Sequence, residues 1–170
     1  MSGELKYITF NTAMGWVGIL ASAKGLLGTT LPQRSAKEAH QLLGVSASQA
    51  KWSPHLSAGL VERLKLYFGG HKVVLSDELD FPEATDFQRE VWEKTRLIPY
   101  GEIRSYLWVA EQIKRPGAAR AVGQALGRNP LPIVVPCHRV VASDGSLGGF
   151  GGGVEMKRHL LWLEASASIR

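Results

Sequence analysis

A chain of 170 residues, 45% hydrophobic and +5 in net charge, is long enough for one large domain or two small ones with a real core. Its single cysteine excludes an internal disulfide and a multi-thiolate zinc site, and no signal-peptide pattern occupies Met1 to Phe10, so a reducing cytoplasm is expected. The longest apolar runs, such as Leu131 to Val135, are too short to cross a bilayer, and no membrane partner is expected.

The first third reads as strands. Tyr7 to Asn11 and Gly15 to Ala21 alternate apolar and polar residues, and Lys24-Gly25 marks a turn before Leu26 to Leu31. Ser35 to Gly44 carries Ala36, Ala39, Leu42 and Leu43 at helical spacing and ends on glycine. A second helix is predicted from about Pro54 to Phe68, with Leu56, Leu60, Leu64 and Tyr67 on one face, then a short strand near Val73 to Leu75.

The acidic stretch Asp77 to Ala84 contains Pro82 and no helical period, so it reads as a linker, with the domain boundary near residue 84. The part beyond it is the more basic, with 12 Lys and Arg against 8 Asp and Glu over 85–170. That bias suits a polyanionic partner and an ordinary basic surface alike. Thr85 is placed to cap a helix carrying Phe87, Val91, Trp92 and Leu97, which Pro99 ends. Ser105 caps Tyr106 to Ile113; Lys114 to Gly117 turns; Ala118 to Gly127 forms a second helix. Two short helices about a glycine-containing turn make the helix-turn-helix pattern, which also serves plain helix packing. Ala118, Ala121 and Ala125 share one face, suited to close approach by a neighbouring helix or a DNA groove.

The lone cysteine follows, in Asn129-Pro130-Leu131-Pro132-Ile133-Val134-Val135-Pro136-Cys137-His138-Arg139-Val140. An apolar strand leading to a thiol beside an imidazole and a guanidinium admits two readings: a buried small hydrophobe, or a nucleophile whose thiolate the cations favour. Val140-Val141 extends the strand and Ser143-Asp144-Gly145 turns. Leu147 to Gly153 is glycine-rich around Phe150, lacks the ending of a phosphate-binding loop, and exposes backbone groups to a flat ligand. A terminal helix from Val154 to about Ala165 points Leu160, Leu161 and Leu163 to the core, with Glu164 near its end.

Asn129-Pro130, the Pro136-Cys137-His138-Arg139-Val140 string, the Ile98-Pro99-Tyr100-Gly101-Glu102 turn and Arg120 with its small neighbours resemble the O6-alkylguanine-DNA alkyltransferase family over about Phe87 to Glu164. The resemblance implies an α+β fold: an N-terminal small β-sheet with helices, ribonuclease H-like, over 1–84, and a mostly helical winged helix-turn-helix domain over 85–170 that binds DNA and accepts the alkyl group. It also implies direct, irreversible, once-only transfer of an alkyl group from O6-alkylguanine, and from O4-alkylthymine, in double-stranded DNA, by a monomer that needs no cofactor.

The family's roles carry over by position. Cys137 would be the nucleophile, His138 its general base through a water, and Glu164 the carboxylate that orients the imidazole. Tyr106 would crowd the target phosphate and then donate a hydrogen bond to the base, improving guanine as a leaving group. Arg120 would fill the space left by the flipped nucleotide, while Ala118, Ala119, Gly123, Gln124 and Arg128 would face DNA. Val140, Phe150, Gly151 and Lys157 would form the base pocket, and Asn129, Pro136 and Arg139 would hold the cysteine turn. Gln124 stands where some members have glycine, and Gly127-Arg128 reverses an order seen in some. Some members bind zinc through two cysteines and two histidines in the N-terminal part; with Cys137 the only thiol, no metal is expected. Three rival readings differ at the cysteine: a non-catalytic damage sensor would lack it; a Cys-His hydrolase would need a separated base; and for a helix-turn-helix regulator the cysteine would be incidental.

Overall fold

The alternation near the N-terminus does build a sheet. In the computed structural model, which describes residues 4–167, β1 (Lys6–Thr12) and β2 (Gly15–Ala21) pair antiparallel from Lys6 opposite Ala21 to Thr12 opposite Gly15. Ile8, Phe10, Val17 and Ile19 turn inward and are buried. β3 (Leu26–Thr29) extends the sheet along β2, with a register shift between Leu20 and Ala21. The edge strand β4 (Lys51–Trp52) runs parallel to β1, giving the order β3-β2-β1-β4.

Ser35 caps α1 (Ala36–Leu42) by accepting the Glu38 N–H, and Gly44 follows at φ +94°, where a side chain would be strained. A single turn, α2 (Val45–Ser48), precedes β4. The longer α3 (Ala58–Phe68) buries Leu60, Val61, Leu64, Tyr67 and Phe68. It starts at Ala58 rather than near Pro54, because Ser57 sits in the left-handed region at φ 47° and leaves Leu56 outside the helix.

Val73 to Leu75 is not a strand, and Val74 is 74% exposed. The segment is held instead by Arg63, which donates to both carboxylate oxygens of Asp77 (2.7 and 2.9 Å) and to the Val74 carbonyl (3.2 Å). The acidic stretch is also tied down: Leu79 bridges Leu26, and Ser22 Oγ donates to Asp80 at 2.6 Å. All of this belongs to a first compact unit that runs to Phe81 and takes back Pro130–Val134. The returning residues are held by Thr29, whose N–H donates to the Pro130 carbonyl (3.0 Å) and whose hydroxyl donates to the Pro132 carbonyl (2.9 Å).

The second unit comprises Pro82–Asn129 and the chain from Val135 onward. Its first helix, α4 (Asp86–Thr95), opens with a reciprocal capping box between Thr85 and Gln88. Val91, Trp92 and Thr95 face inward; Leu97 lies beyond the helix and is 67% exposed, while Ile98 takes the buried position. Ser105 accepts the Trp108 N–H to cap α5 (Tyr106–Gln112), and α6 (Ala119–Gly127) packs on α4 and α5. The indole N–H of Trp92 donates to the Ala125 carbonyl at 2.8 Å, fixing the last turn of α6.

Two short strands, β5 (Arg104–Ser105) and β6 (Val140–Val141), pair in parallel, so the start of α5 is held beside the residues that follow Cys137. The last helix, α7 (Val154–Ala167), buries Lys157, Leu160, Leu163 and Glu164, whereas Leu161 is only half-buried. No helix among the described residues is long and apolar enough to cross a membrane. The outermost residues of the two sequence-derived regions, 1–3 and 168–170, lie outside the described residues.

Candidate active site

The approach to Cys137 is not the strand expected from its apolar residues. Leu131 to Val135 form turns and isolated bridges, with Ile133 at φ 75°, an unusual conformation for a β-branched residue. Cys137–Arg139 is a single 3₁₀ turn, so consecutive side chains leave the chain in different directions. The thiol can therefore face outward while His138 and Arg139 are buried behind it. The Asn129 side chain holds this turn by donating to the Val135 carbonyl at 3.0 Å.

In front of the thiol lies a cleft of about 440 Å³. One wall is the face of α6 carrying Ala119, Arg120, Gly123, Gln124 and Gly127. The opposite wall is the glycine-rich loop with Gly148, Gly149, Phe150 and Gly151, and Tyr106 stands between them. Gly123 and Gly148 bring both backbones close to Tyr106. A methyl group on Gly123 would touch the ring at 3.7 Å, but one on Gly148, at φ +72°, would lie 2.4 Å from the Tyr106 hydroxyl. A side chain there would force the Tyr106 ring or the loop to move.

Behind the thiol is a buried charge network. Glu164 Oε2 meets His138 Nε2 at 2.5 Å, and Arg139 donates to both carboxylate oxygens, at 2.9 and 3.2 Å. Arg139 also donates to the Ile98 carbonyl at 2.8 Å, and the Gly101 N–H donates to Glu164 Oε1 at 3.0 Å. Burial opposes ionisation of Glu164, yet His138 and then Arg139 hold its carboxyl down at about 2. Burial outweighs the pull of Glu164 on His138 and keeps the imidazole below its ordinary range, and so neutral at pH 7. A neutral imidazole can accept a proton, and the ionised carboxylate can stabilise the cation that forms.

The Cys137 thiol behaves differently from the sequence-based expectation of a cation-favoured thiolate. Burial pushes its pKa up, and hydrogen bonding from Asn129 and the charge of Lys157 only partly offset that. The resting group is a protonated thiol, so reaction requires its proton to be removed in place. Lys157 is itself buried, with Nζ 3.4 Å from both the Tyr106 hydroxyl and the Gly149 carbonyl. Burial lowers the Lys157 pKa and raises that of Tyr106, which stays a hydrogen-bond donor at neutral pH.

Among the sequence-selected residues, Cys137, Tyr106, Ala119, Arg120, Gly123, Gln124, Phe150 and Gly151 line one cleft. His138, Glu164, Arg139, Pro136, Val140 and Lys157 are buried, and Asn129 is half-buried beneath the cysteine turn. Ala118 is the N-cap of α6 and Arg128 its exposed C-cap, and neither lines the cleft. The small-residue face is also rotated from the one expected. Ala125 is buried and its carbonyl bonds Trp92, while Ala119, Gly123 and Gly127 make the open face. Leu126 also lines the cleft, with no signal in the sequence, and while the loop of Gly148 and Gly149 was expected to face a ligand, the positive φ of Gly148 and its fit to Tyr106 leave no mark in a run of glycines. Among the described residues no cluster of His, Cys, Asp and Glu could hold a metal ion.

Residues 86–166 match the family described as 6-O-methylguanine DNA methyltransferase, DNA binding domain. A protein of Mycobacterium tuberculosis named methylated-DNA--protein-cysteine methyltransferase is 51% identical over 121 residues, covering 70% of this chain and 73% of the relative. Among solved structures, Mycobacterium tuberculosis OGT in complex with DNA superposes with a TM-score of 0.81 at 40% identity, covering 95% of this chain and 94% of that one. The O6-methylguanine-DNA methyltransferase of the archaeon Pyrococcus kodakaraensis gives a TM-score of 0.70 at 31% identity, covering 94% and 98%.

Proposed function

The chain belongs to the methylated-DNA–protein-cysteine methyltransferase family, and from that premise we propose how its own residues carry out the repair. The protein repairs DNA by moving the alkyl group of O6-alkylguanine to Cys137. The observation that carries this reading is a lone thiol on the floor of a cleft between Arg120, Tyr106 and the glycine loop, with a neutral imidazole and an ionised carboxylate behind it.

The thiol sulfur attacks the alkyl carbon. The new S–C bond forms as the C–O6 bond breaks, and the electron pair stays on the guanine. The thiol proton goes to His138 through a water, and a proton returns to the guanine ring, which leaves as normal guanine. With Nε2 held by Glu164, Nδ1 is the nitrogen that serves this transfer. The cation on His138 is matched by Glu164, whose own charge is secured by Arg139 and Gly101. Tyr106, kept protonated by burial, donates to the departing base and stabilises its charge. The thioether has no leaving group for water to displace, so each molecule acts once.

The target atom lies inside a base pair and is reached by flipping the nucleotide into the cleft. The exposed position of Arg120 at the mouth supports its role as the planar group that replaces the base in the stack. Ala119, Gly123 and Gln124 on the same face of α6 would lie along the DNA, with Ala118 and Arg128 at its two ends. Val140 and Gly151 would read the guanine edge through backbone groups, with Phe150 as a pocket wall. O4-alkylthymine is the second substrate of the same cleft.

The finer architecture follows the same reading. The sheet order β3-β2-β1-β4, with β1 and β4 parallel, supports a ribonuclease H-like first unit. The α5–turn–α6 pair beside β5 and β6 supports a winged helix-turn-helix in the second, and a boundary near residue 84 agrees with the change of unit after Phe81. The cleft is lined entirely by residues of one chain, in keeping with action as a monomer, and the reading places that action on chromosomal DNA in the cytoplasm.

The test is a mass measurement. Incubation with a duplex containing O6-methylguanine is expected to add one methyl mass to the peptide containing Cys137, saturating at one per molecule. Cys137→Ser is expected to abolish transfer while duplex binding stays within about threefold. Several turnovers per molecule, or an adduct elsewhere, would overturn the reading.

A further inference from the structure

The turn Ile98 to Glu102 carries no side chain of the proposed chemistry, yet two of its backbone groups enter the buried network. The Gly101 N–H donates to Glu164 Oε1 at 3.0 Å, and the Ile98 carbonyl accepts from Arg139 at 2.8 Å. One turn thus holds the carboxylate and the guanidinium that neutralises it. Ile98 itself is 1% exposed, so its carbonyl is fixed by a packed side chain.

The turn geometry explains why a glycine stands there. The Glu102 N–H donates to the Pro99 carbonyl at 3.1 Å, which makes Pro99 to Glu102 a four-residue turn with Tyr100 and Gly101 at its centre. Gly101 lies at φ 83°. A positive φ at the third position belongs to the type II turn; the type I turn, open to other residues, places that residue at negative φ and rotates the central peptide by roughly half a revolution. In the type II form the Gly101 N–H points at Glu164. In the type I form the Tyr100 carbonyl would turn toward the carboxylate and repel it. Glycine decides between the two because it takes positive φ without a steric cost.

We propose that Gly101 is a positioning residue for alkyl transfer: by keeping the Pro99–Glu102 turn in its type II form, it aims a backbone N–H at Glu164 and so fixes the carboxylate that supports His138. The proposal rests on the reading of Cys137, His138 and Glu164 given above. Wild-type protein, methylated once at Cys137 in the same assay, separates a failure of that reading from a failure of this one.

The pH profile provides a readout that a merely structural role would not move. The charged and titratable groups facing Glu164 are His138 and Arg139 from the 3₁₀ turn, and those facing His138 are Glu164 and Lys157 of α7 together with Arg139 and Cys137; Tyr100 lies with its ring 5.6 Å from the Arg139 guanidinium. Removing the Gly101 donor leaves the negative charge of Glu164 less shared. Both Glu164 and His138 then bind protons more readily, so the acid limb of the rate profile moves to higher pH.

The experiment compares Gly101→Val, Gly101→Asn and an amide-to-ester replacement at residue 101 with glycolic acid, which removes the N–H alone. Single-turnover methyl transfer from an O6-methylguanine duplex is followed from acid to alkaline pH. A β-branched residue resists positive φ, whereas asparagine tolerates it and keeps the N–H. Gly101→Val and the ester are expected to slow transfer by about tenfold near pH 6, with the acid limb displaced upward, from the loss of a hydrogen bond to a charged group. Gly101→Asn is expected to stay within about threefold of wild type with an unshifted profile. If the ester transfers at the wild-type rate across the whole pH range, the proposal is overturned, even where Gly101→Val fails to fold. A uniform loss in all three with no displacement of the acid limb overturns it as well.

Discussion

At the scale of single residues, the site separates two functions that adjacent positions in the chain would confuse. Cys137 stays protonated because it is buried, and His138 stays neutral for the same reason, so thiol and imidazole rest uncharged beside an ionised Glu164. Such an arrangement makes the fold sensitive to acid. The Glu164 carboxyl goes from an ordinary 4.5 to about 2 on folding, so its stabilisation is complete above about 4.5 and is lost as pH falls toward about 2. His138, depressed from 6.5, adds in the same direction: the unfolded chain binds its proton first, and stability declines once pH drops below 6.5. The thermal midpoint is therefore expected to fall continuously from about pH 6.5 downward. Glu164→Gln is expected to be less stable at pH 7 by on the order of 3 kcal/mol, since it leaves the buried Arg139 without its counter-charge, and to lose much of that acid dependence. Calorimetry of both proteins across this range decides the point; equal slopes would show that Glu164 is not the titrating group. The pairing of Glu164 with His138 was legible through the family resemblance, but the protonation states were not: burial of the cysteine was one reading and a thiolate favoured by His138 and Arg139 the other. Adjacency in sequence says nothing about burial, and a 3₁₀ turn sends the three side chains apart.

At the scale of elements, legibility followed the length of the pattern. Thr85 and Ser105 cap the helices they were expected to cap, and Ser35 caps α1 in the same way, because a cap needs only a side-chain oxygen and the next few N–H groups. The β1–β2 hairpin was readable from a sustained alternation. β4, β5 and β6 are each two residues long, too short to alternate, and exist because a partner strand lies beside them. Val73 to Leu75 shows the converse: apolar and β-branched, it meets no strand and Val74 remains exposed. The glycine loop combines both cases. Its composition marked it as a ligand wall, but which glycine is indispensable depends on Tyr106, forty-two positions earlier. Gly148→Ala is expected to displace the Tyr106 ring and slow single-turnover transfer by about tenfold or more, since misplacement by a fraction of an ångström already disturbs the attack geometry. Gly149→Ala, where an added methyl group meets nothing within 4 Å, is expected to react within about twofold of wild type. Equal losses in the two variants would mean that loop flexibility, rather than contact with Tyr106, governs the rate.

At the scale of the whole molecule, the chain crosses between its units more than once, and the last crossing occurs just before the nucleophile. Pro130–Val134 leaves the second unit, joins the first, and returns at Val135, two residues ahead of Cys137. From the sequence these apolar residues look like one strand entering the active site, because a run of buried side chains reads the same whichever core receives it. Leu131, Ile133 and Val134 are each 3% exposed or less, and Thr29 satisfies the carbonyls of Pro130 and Pro132. The residues proposed to carry the chemistry all lie in the second unit, which would suggest that 85–170 could work alone. The packing argues otherwise. In that fragment three large aliphatic side chains would lose their cover at about 1.5–3 kcal/mol each, a cost comparable to the whole stability of a small domain. The carbonyls of Pro130 and Pro132 would also lose their Thr29 donors, in a segment that ends three residues before Cys137. A fragment of residues 85–170 is therefore expected to aggregate or to transfer methyl groups at least about tenfold more slowly than the full chain, and co-expression with residues 1–84 is expected to recover most of the rate. In the intact protein, Thr29→Val is expected to cost about 1 kcal/mol in unfolding free energy, the usual worth of one such hydrogen bond, with transfer reduced more in proportion than by a surface substitution of equal stability cost. A soluble fragment with the full chain's single-turnover rate would show that the first unit contributes nothing to the shape of the cysteine turn.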